Sequence, residues 1–397
     1  MSFLGKFFLH PHTYLGRIIK CLEVSLFNEL QIKFKEVDNL RFLLLALLFI
    51  VLLGNVMVFS SSYIFARENY GTPFYFFFRQ IIYTIFGATL MIVVSKTKYT
   101  FWIKYSKHFL LVSTALVGLT FVPGIGVEVK GANRWLNLLV VSFQPGELLK
   151  YGVLFYSIYF FEVMSRGPKV EQLRSIPFLF VPLSLLVMQP DFGTFFICSA
   201  VILFVAYLSN FNRKYLYALV VTGFFSVVGV LLMAPYRVAR LVTFLDPWKN
   251  PKSSGFQIIQ SFLAFSNGGI TGVGLGNSDE KLFYLPEAHN DFIFSVLGEE
   301  LGLLGVVFFI TILMVFIYNG LKLSISPRNN LVQTLIIAGV IFLIGFQAFL
   351  NMGVVMGVLP TKGLNLPFVS FGGSSIICNF FGVGVLLSVI NKKHATH

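Results

Sequence analysis

The sequence predicts an all-α integral membrane protein, a polytopic bundle of about ten transmembrane helices. Hydrophobic residues make up 56% of the 397 residues and charged residues only 12%, about half the charged share of a soluble domain. Apolar runs long enough to cross a bilayer recur along the chain. These runs are continuous, which favours helices over the alternating pattern of a membrane β-barrel.

The apolar runs define ten candidate spans, and no polar block between them is long enough to form a soluble domain. The spans cover residues 42–63, 74–95, 101–122, 145–163, 175–189, 192–209, 215–235, 291–318, 331–356 and 368–391. Three segments follow from these limits. Residues 1–41 form an amphipathic cytoplasmic segment, residues 42–391 the transmembrane domain, and residues 392–397 a cytoplasmic tail.

Lysine and arginine predict the orientation, because positively charged loops stay in the cytoplasm. One set of alternate loops holds pairs such as Lys96 with Lys98 and Arg213 with Lys214, and both termini share this charge. We therefore expect both termini to be cytoplasmic and the large loop at 236–290, between spans seven and eight, to be extracytoplasmic. The same bias explains the net charge of +13. No basic stripe with interleaved aromatic residues indicates nucleic-acid binding.

Asp291 stands where this polar loop meets the eighth apolar run. A carboxylate at a membrane boundary is costly and usually functional. A helix N-terminus also favours an acid, but Asn290 could begin the helix equally well. We predict that Asp291 is a general base at the outer face. Glu287 and His289 precede it; one histidine is too few for a zinc site, while a carboxylate-bound Mg²⁺ or Mn²⁺ stays open.

Two further stretches hold charges near the outer face. Arg134 and Trp135 lie in an outer loop. Glu147 and Lys150 follow at the start of the next span, three residues apart and hence on one helix face. This pair is either a self-neutralising structural bridge or a polar wall of the cleft that holds Asp291. The glycines at 268–276 predict a tight loop over a substrate, and Lys281 lies within the same loop, residues 255–289.

These stretches resemble one family, the SEDS glycosyltransferases (shape, elongation, division and sporulation proteins). The resemblance rests on the motifs GANRWLNL, SFQPGELLK, QPDFGT, FLDPW, GFQ, GLGNSDEKLFYLPEAHNDFIF and LPTKGLNLPFVSFGGSS, which lie between residues 131 and 375. The GLGNS and YLPEAH forms are similar to the division branch. Gly146, where the family usually has serine, and Asn290, commonly threonine, depart from the pattern without removing a charge.

The resemblance implies a peptidoglycan glycosyltransferase of the bacterial cytoplasmic membrane, acting at the division septum on lipid II, an undecaprenyl-pyrophosphate-linked disaccharide-pentapeptide. Asp291 matches the family's catalytic aspartate in HNDFIF. The implied partners are a class B penicillin-binding protein and other membrane proteins of the division machinery. The resemblance implies no cofactor, and a divalent cation, Mg²⁺ or Mn²⁺, is the one alternative. The candidate substrate-binding residues are Arg134, Trp135, Glu147, Lys150, Asp191, Arg240, Lys281, Glu287, His289, Lys362 and Ser374.

Two other functions compete with polymerisation. Many spans and intramembrane charges also suit a lipid II flippase, although a transporter site should lie near the midplane and these charges gather at the outer face. Glu299 is the exception, deeper along the eighth span. The second rival is a structural scaffold of the division complex, in which Asp291 would have no chemical role.

Overall fold

The structure is a computed structural model whose described residues include thirteen α-helices and one small sheet. The helices are α1 (Tyr14–Tyr70), α2 (Tyr75–Ser95), α3 (Tyr99–Lys104), α4 (Ser106–Leu119), α5 (Pro145–Ile158), α6 (Lys169–Ser175), α7 (Pro177–Met188), α8 (Phe192–Leu208), α9 (Arg213–Leu232), α10 (Phe256–Gly268), α11 (Ile293–Ser324), α12 (Leu331–Val355) and α13 (Gly373–Ile390). A π-helical turn, Tyr159–Val163, extends α5. The structure describes residues 14–129, 132–138, 141–164, 167–209, 211–232, 244–249, 251, 255–279, 288–360 and 363–391. Side chains are described from residue 35 onward, apart from those of residues 129, 138, 141, 219, 224–228 and 230–232.

Helices occupy each of the ten predicted segments, so the prediction of a helical membrane protein is confirmed. Within the described residues, six helical stretches are long and apolar enough to cross a membrane. They are Lys35–Tyr70, Tyr75–Ser95, Lys169–Met188, Ile293–Ser324, Leu331–Val355 and Gly373–Ile390. Two shorter apolar helices, Ser106–Leu119 and Phe192–Leu208, accompany them. The total of ten crossings and the cytoplasmic termini stay predictions.

Helix α1 is longer than the first predicted span. It runs without interruption through 57 residues, about 86 Å at the rise of an α-helix. Residue 41, the predicted boundary between the amphipathic segment and the first span, is therefore not a helix end.

A three-stranded antiparallel sheet lies between α4 and α5, where the sequence predicted only a loop. Its strands are β1 (Gly126–Val129), β2 (Ala132–Leu138) and β3 (Val141–Phe143), in the order β1-β2-β3. The register pairs Val127 with Trp135 and Leu136 with Phe143. The sheet carries Arg134 on its central strand.

The core of the bundle is built from α5, α12 and α13. Nearly every residue of α5 is buried, and most of α12 and α13 is buried as well. Helix α2 packs along α13, and α1 packs along α11. Most of α2 and much of α11 stay exposed as apolar surface, as expected for helices that face lipid.

Helix α11 is broken at Gly302, whose φ of 65° and ψ of −168° are not helical. The segment after α10 fills the break. Val273 and Gly274 donate their backbone N–H groups to the carbonyls of Glu299 and Glu300, at 3.0 Å each. In return, the N–H groups of Leu303 and Leu304 donate to the carbonyls of residues 269 and 270, at 2.9 and 3.1 Å. The bonds that the break frees are therefore satisfied, as an apolar environment requires.

The break also explains part of the glycine-rich stretch. A Cβ on Gly272 would lie 2.2 Å from the Glu300 carbonyl oxygen, so the segment packs this closely only because residue 272 has no side chain. Two buried acids adjoin the segment. Glu299 accepts hydrogen bonds from the Ser278 hydroxyl and the Asp279 N–H, and Glu300 accepts from Ser60 of α1. The glycines of the predicted substrate loop thus pack against α11.

Candidate functional site

One end of the bundle collects most of the predicted site residues. Helices α5, α8, α11 and α13 begin at this end, and α12 finishes there. Segments 288–292 and 363–372 cross it just before α11 and α13. Side chains from β2, α5, α12 and these two segments therefore converge although they are far apart in sequence.

Asp291 lies in the turn that leads into α11, and it is half-buried. Its backbone carbonyl accepts a 2.8 Å hydrogen bond from the Asn351 side chain of α12. The same amide nitrogen donates to the carbonyl of Leu364, at 2.6 Å. The backbone of Asp291 is thus tied to the last turns of α12 and to the segment before α13.

Arg134 is brought to the same place by β2. Its Nη2 donates a 2.6 Å hydrogen bond to the Pro190 carbonyl, between α7 and α8. The neighbouring Gln189 holds the strand by donating to the Asn133 carbonyl and to the Thr120 hydroxyl. Arg134 is half-buried, and among the described residues its Nε has no hydrogen-bond partner.

The carboxylate of Asp291 and the guanidinium of Arg134 face the same backbone position. A Cβ built on Gly363 would lie 3.0 Å from Asp291 Oδ2 and 3.8 Å from Arg134 Nη1. An acceptor-only carboxylate and a guanidinium held by the Pro190 carbonyl therefore border one small space beside a residue without a side chain. This arrangement can take a proton on one side and hold an anion on the other.

Glu147 and Lys150 lie on one face of α5, as their spacing predicts. Lys150 Nζ is 2.8 Å from Glu147 Oε2 and 2.6 Å from Gln347 Oε1 of α12. Both charged residues are buried, and Gln347 in turn donates to the Asn365 carbonyl at 2.9 Å. Full burial of Lys150 favours the structural bridge over the polar cleft wall.

We expect Lys150→Ala to destabilise the protein by about 3–5 kcal/mol, because it leaves Glu147 charged, buried and unpaired. Thermal unfolding in detergent should show a clear loss of Tm. The double variant Lys150→Met with Glu147→Gln removes both charges and should lose much less. The exposed Lys214→Ala is the control. Equal Tm values for Lys150→Ala and wild type would contradict a structural bridge.

Asp191 and Ser374 have structural contacts at this end. Asp191 caps α8: its carboxylate accepts from the Thr194 N–H at 3.3 Å and from the Thr194 hydroxyl at 2.8 Å. Ser374 accepts the Gln144 N–H at 2.9 Å, which joins the beginnings of α13 and α5. These hydrogen bonds fix the first turns of α5, α8 and α13 at this end of the bundle.

His289 and Trp135 lie beside the site, close in sequence to Asp291 and Arg134. The carbonyl of His289 accepts the Phe371 N–H at 2.9 Å, and its ring lies among aromatic side chains. Those rings belong to Phe65, Phe76 and Phe371, with centroids 5.7, 4.6 and 6.0 Å away. Trp135 is half-buried on β2.

Four predicted site residues, Arg240, Lys281, Glu287 and Lys362, lie outside the described residues. In the part of the chain that the structure does describe, no three His, Cys, Asp or Glu side chains are grouped so that they could hold a metal ion.

The sequence did not point to Asn351 and Ser370. Ser370 donates to the Asn290 carbonyl at 2.7 Å and accepts the Leu366 N–H at 2.8 Å. A signal for Asn351 was present: it follows Gln347 by four residues in an apolar run, so two amides share one face of a span. Polar groups in a span are usually functional.

The fold and this end of the bundle define a multi-pass helical membrane protein with a carboxylate and a guanidinium at the edge of its apolar core. The chain belongs to the family of FtsW, RodA and SpoVE, described as "Cell cycle protein", whose profile matches residues 40–395.

Individual relatives agree with this assignment. The chain is 39% identical over 372 residues to the "Probable peptidoglycan glycosyltransferase FtsW" of Geobacter metallireducens, covering 92% of this chain and 98% of that protein. Its fold matches a structure described as "Structural coordination of polymerization and crosslinking by a peptidoglycan synthase complex", with a TM-score of 0.68, 24% identity, and coverage of 89% and 98%. It also matches Thermus thermophilus RodA, with a TM-score of 0.64, 24% identity, and coverage of 89% and 96%.

Proposed function

We propose that this protein is a peptidoglycan glycosyltransferase that polymerises lipid II at the outer face of the cytoplasmic membrane during cell division. The names of its FtsW relatives support the activity. The observation that carries the proposal is the pair of charged groups, Asp291 and Arg134, that faces Gly363 at one end of the bundle.

One base is sufficient for this reaction. The 4-hydroxyl of the acceptor sugar attacks the anomeric carbon of the donor, the bond from that carbon to the pyrophosphate breaks, and the carboxylate of Asp291 takes the hydroxyl proton. The lipid pyrophosphate leaves as a stabilised anion and needs no proton. Glycosidases need a second carboxyl group because their leaving group is an alkoxide.

Cations are the second requirement, because negative charge gathers on the departing pyrophosphate. Arg134 is suited to this task, since a guanidinium binds phosphate oxygens through two parallel hydrogen bonds. Its Nε has no partner among the described residues, and its position is fixed by Pro190. Lys281 and Lys362 are proposed to add further positive charge, and a carboxylate-bound Mg²⁺ or Mn²⁺ is a candidate aid.

The proposed topology places the site where both substrates can reach it. With ten crossings and cytoplasmic termini, the beginnings of α5 and α11 lie on the outer side, level with the sugars of lipid II. The loop at 236–290 then lies outside and can cover the site. Part of this loop is helical, since α10 lies within it.

The proposed partner is a class B penicillin-binding protein, a transpeptidase that crosslinks the new strands within the division machinery. The fold shared with a chain of a peptidoglycan synthase complex supports a polymerase that works beside a crosslinking enzyme.

The decisive experiment supplies the purified protein with labelled lipid II, with and without the transpeptidase and divalent cations. Long glycan strands are the expected product. Movement of lipid II across vesicles without any polymer would instead favour the flippase.

Gly363→Ala should lower the turnover number about 10- to 100-fold, because an added methyl group would lie 3.0 Å from Asp291 Oδ2 and displace the base. The comparison is made by the rate of lipid II polymerisation per folded molecule. Gly223→Ala is the matched control, since a methyl group there would meet nothing within 4 Å. Unchanged turnover in Gly363→Ala would show that the Asp291 carboxylate does not work from this position.

A further inference from the structure

We infer that Asn351 is a positioning residue for Asp291, and that its amide sets the distance between the base and the segment around Gly363. The inference rests on the proposed function, because it treats Asp291 as the base. Asn351 of α12 would then affect catalysis by positioning Asp291, although Asn351 itself does not touch the reacting atoms.

Asn351 is a buried residue whose described side-chain hydrogen bonds all go to backbone carbonyls. The residue is 2% exposed, in the last two turns of α12. Its amide nitrogen carries two hydrogens, and it donates to two carbonyls, those of Asp291 and Leu364. Its Oδ1 is buried, and among the described residues it has no hydrogen-bond partner. The side chain therefore holds two backbone segments together.

The two carbonyls belong to the two sides of the candidate site. One is that of Asp291 itself, and the other is that of the residue directly after Gly363, on which an added Cβ would lie 3.0 Å from Asp291 Oδ2. The Asn351 amide thus connects the backbone of Asp291 to the backbone next to Gly363, which the Asp291 carboxylate faces. Removing that amide should therefore alter the distance between the carboxylate and Gly363.

Neighbouring side chains hold the same two segments at other residues. Gln347, one turn earlier on α12, donates to the Asn365 carbonyl. Ser370 connects the Asn290 carbonyl to the Leu366 N–H. Asn351 differs from Gln347 and Ser370 in that its amide binds the carbonyl of Asp291 itself as well as that of Leu364.

A base that removes a proton as a bond forms must be held closely, since an error of about 1 Å can cost about 10²-fold in rate. Loss of the Asn351 amide leaves both segments in place, because Gln347 and Ser370 still hold them, but it releases the carbonyl of Asp291 itself. The chemical step should suffer while lipid II binding, which uses other groups, is retained.

The test measures kcat and KM for lipid II polymerisation, per folded molecule, in wild type, Asn351→Ala and Asn319→Ala. Asn319 is the matched control: it is also a buried asparagine whose amide donates to a backbone carbonyl, that of Val315, but it lies in the second half of α11. We expect kcat of Asn351→Ala to fall about 10- to 100-fold, with KM within about twofold. Asn319→Ala should keep the kcat of wild type.

A wild-type kcat in Asn351→Ala would overturn the inference, as would an equal loss in both variants. If Asn351→Ala does not fold, Asn351→Thr replaces it. Its hydroxyl supplies one donor in place of two, so kcat should again fall, and a wild-type kcat would overturn the bridge. Asp291→Asn distinguishes failure of the proposed function from failure of this inference. Full activity of Asp291→Asn refutes the role of Asp291 as the base. An inactive Asp291→Asn together with a fully active Asn351→Ala refutes only the positioning role of Asn351.

Discussion

Asp291→Asn should lose lipid II polymerisation by about 10²–10⁴-fold, the usual contribution of a general base, while the protein stays folded. Asparagine keeps the size of the side chain and the backbone carbonyl that Asn351 binds, but it cannot accept the hydroxyl proton. The measurement is the rate of glycan-strand formation from labelled lipid II, with Tm recorded on the same samples.

The matched control for this substitution is Asp279→Asn. Asp279 is exposed and lies near the same end of α11, so it undergoes the same loss of charge away from Gly363. Its activity should match wild type. Full activity of Asp291→Asn would remove the base from the mechanism, and normal cell division with that variant would favour the structural scaffold.

Gly302→Ala should cause the largest loss of stability, about 4 kcal/mol or more, an amount reached only by severe defects. Two causes combine. The φ of 65° at this residue disfavours any side chain. A Cβ there would also lie 2.3 Å from Gly272 N and 2.6 Å from the Ile270 carbonyl oxygen, so the inserted segment would be expelled.

Thermal unfolding in detergent and the yield of folded protein measure this effect. Gly118→Ala is the control, because a methyl group there meets nothing within 4 Å and alanine is the better helix former. Its Tm should equal or exceed that of wild type. A Gly302→Ala variant with the Tm of wild type would mean that the break in α11 does not depend on glycine.

The helices could be predicted because a membrane demands long apolar runs, and these are visible without any knowledge of contacts. The sheet at β1–β3 was missed, since its strands are short and lie in a stretch that reads as a loop. The break at Gly302 was missed as well, because glycine within an apolar run is common in membrane helices. Only the fold reveals the segment that fills the break.

The charged residues of the candidate site could be predicted from the sequence. Asp291 and Arg134 stand out because charges at an apolar boundary are costly. The pairing of Glu147 with Lys150 follows from local spacing. Their third partner, Gln347, lies 197 residues from Lys150 in sequence. Asn351 is uncharged, so its importance appears only when α12 is placed beside the turn that holds Asp291.

The break in α11 has a mechanical consequence. The turn segment at 269–274 shares four backbone hydrogen bonds with the two halves of the helix, and each would be lost at a cost of several kcal/mol in an apolar setting. The segment and the two halves of α11 are therefore expected to move together. A substitution that displaces the 269–274 segment is expected to disturb α11 at Glu300 and, through the Ser60 hydrogen bond, α1 as well.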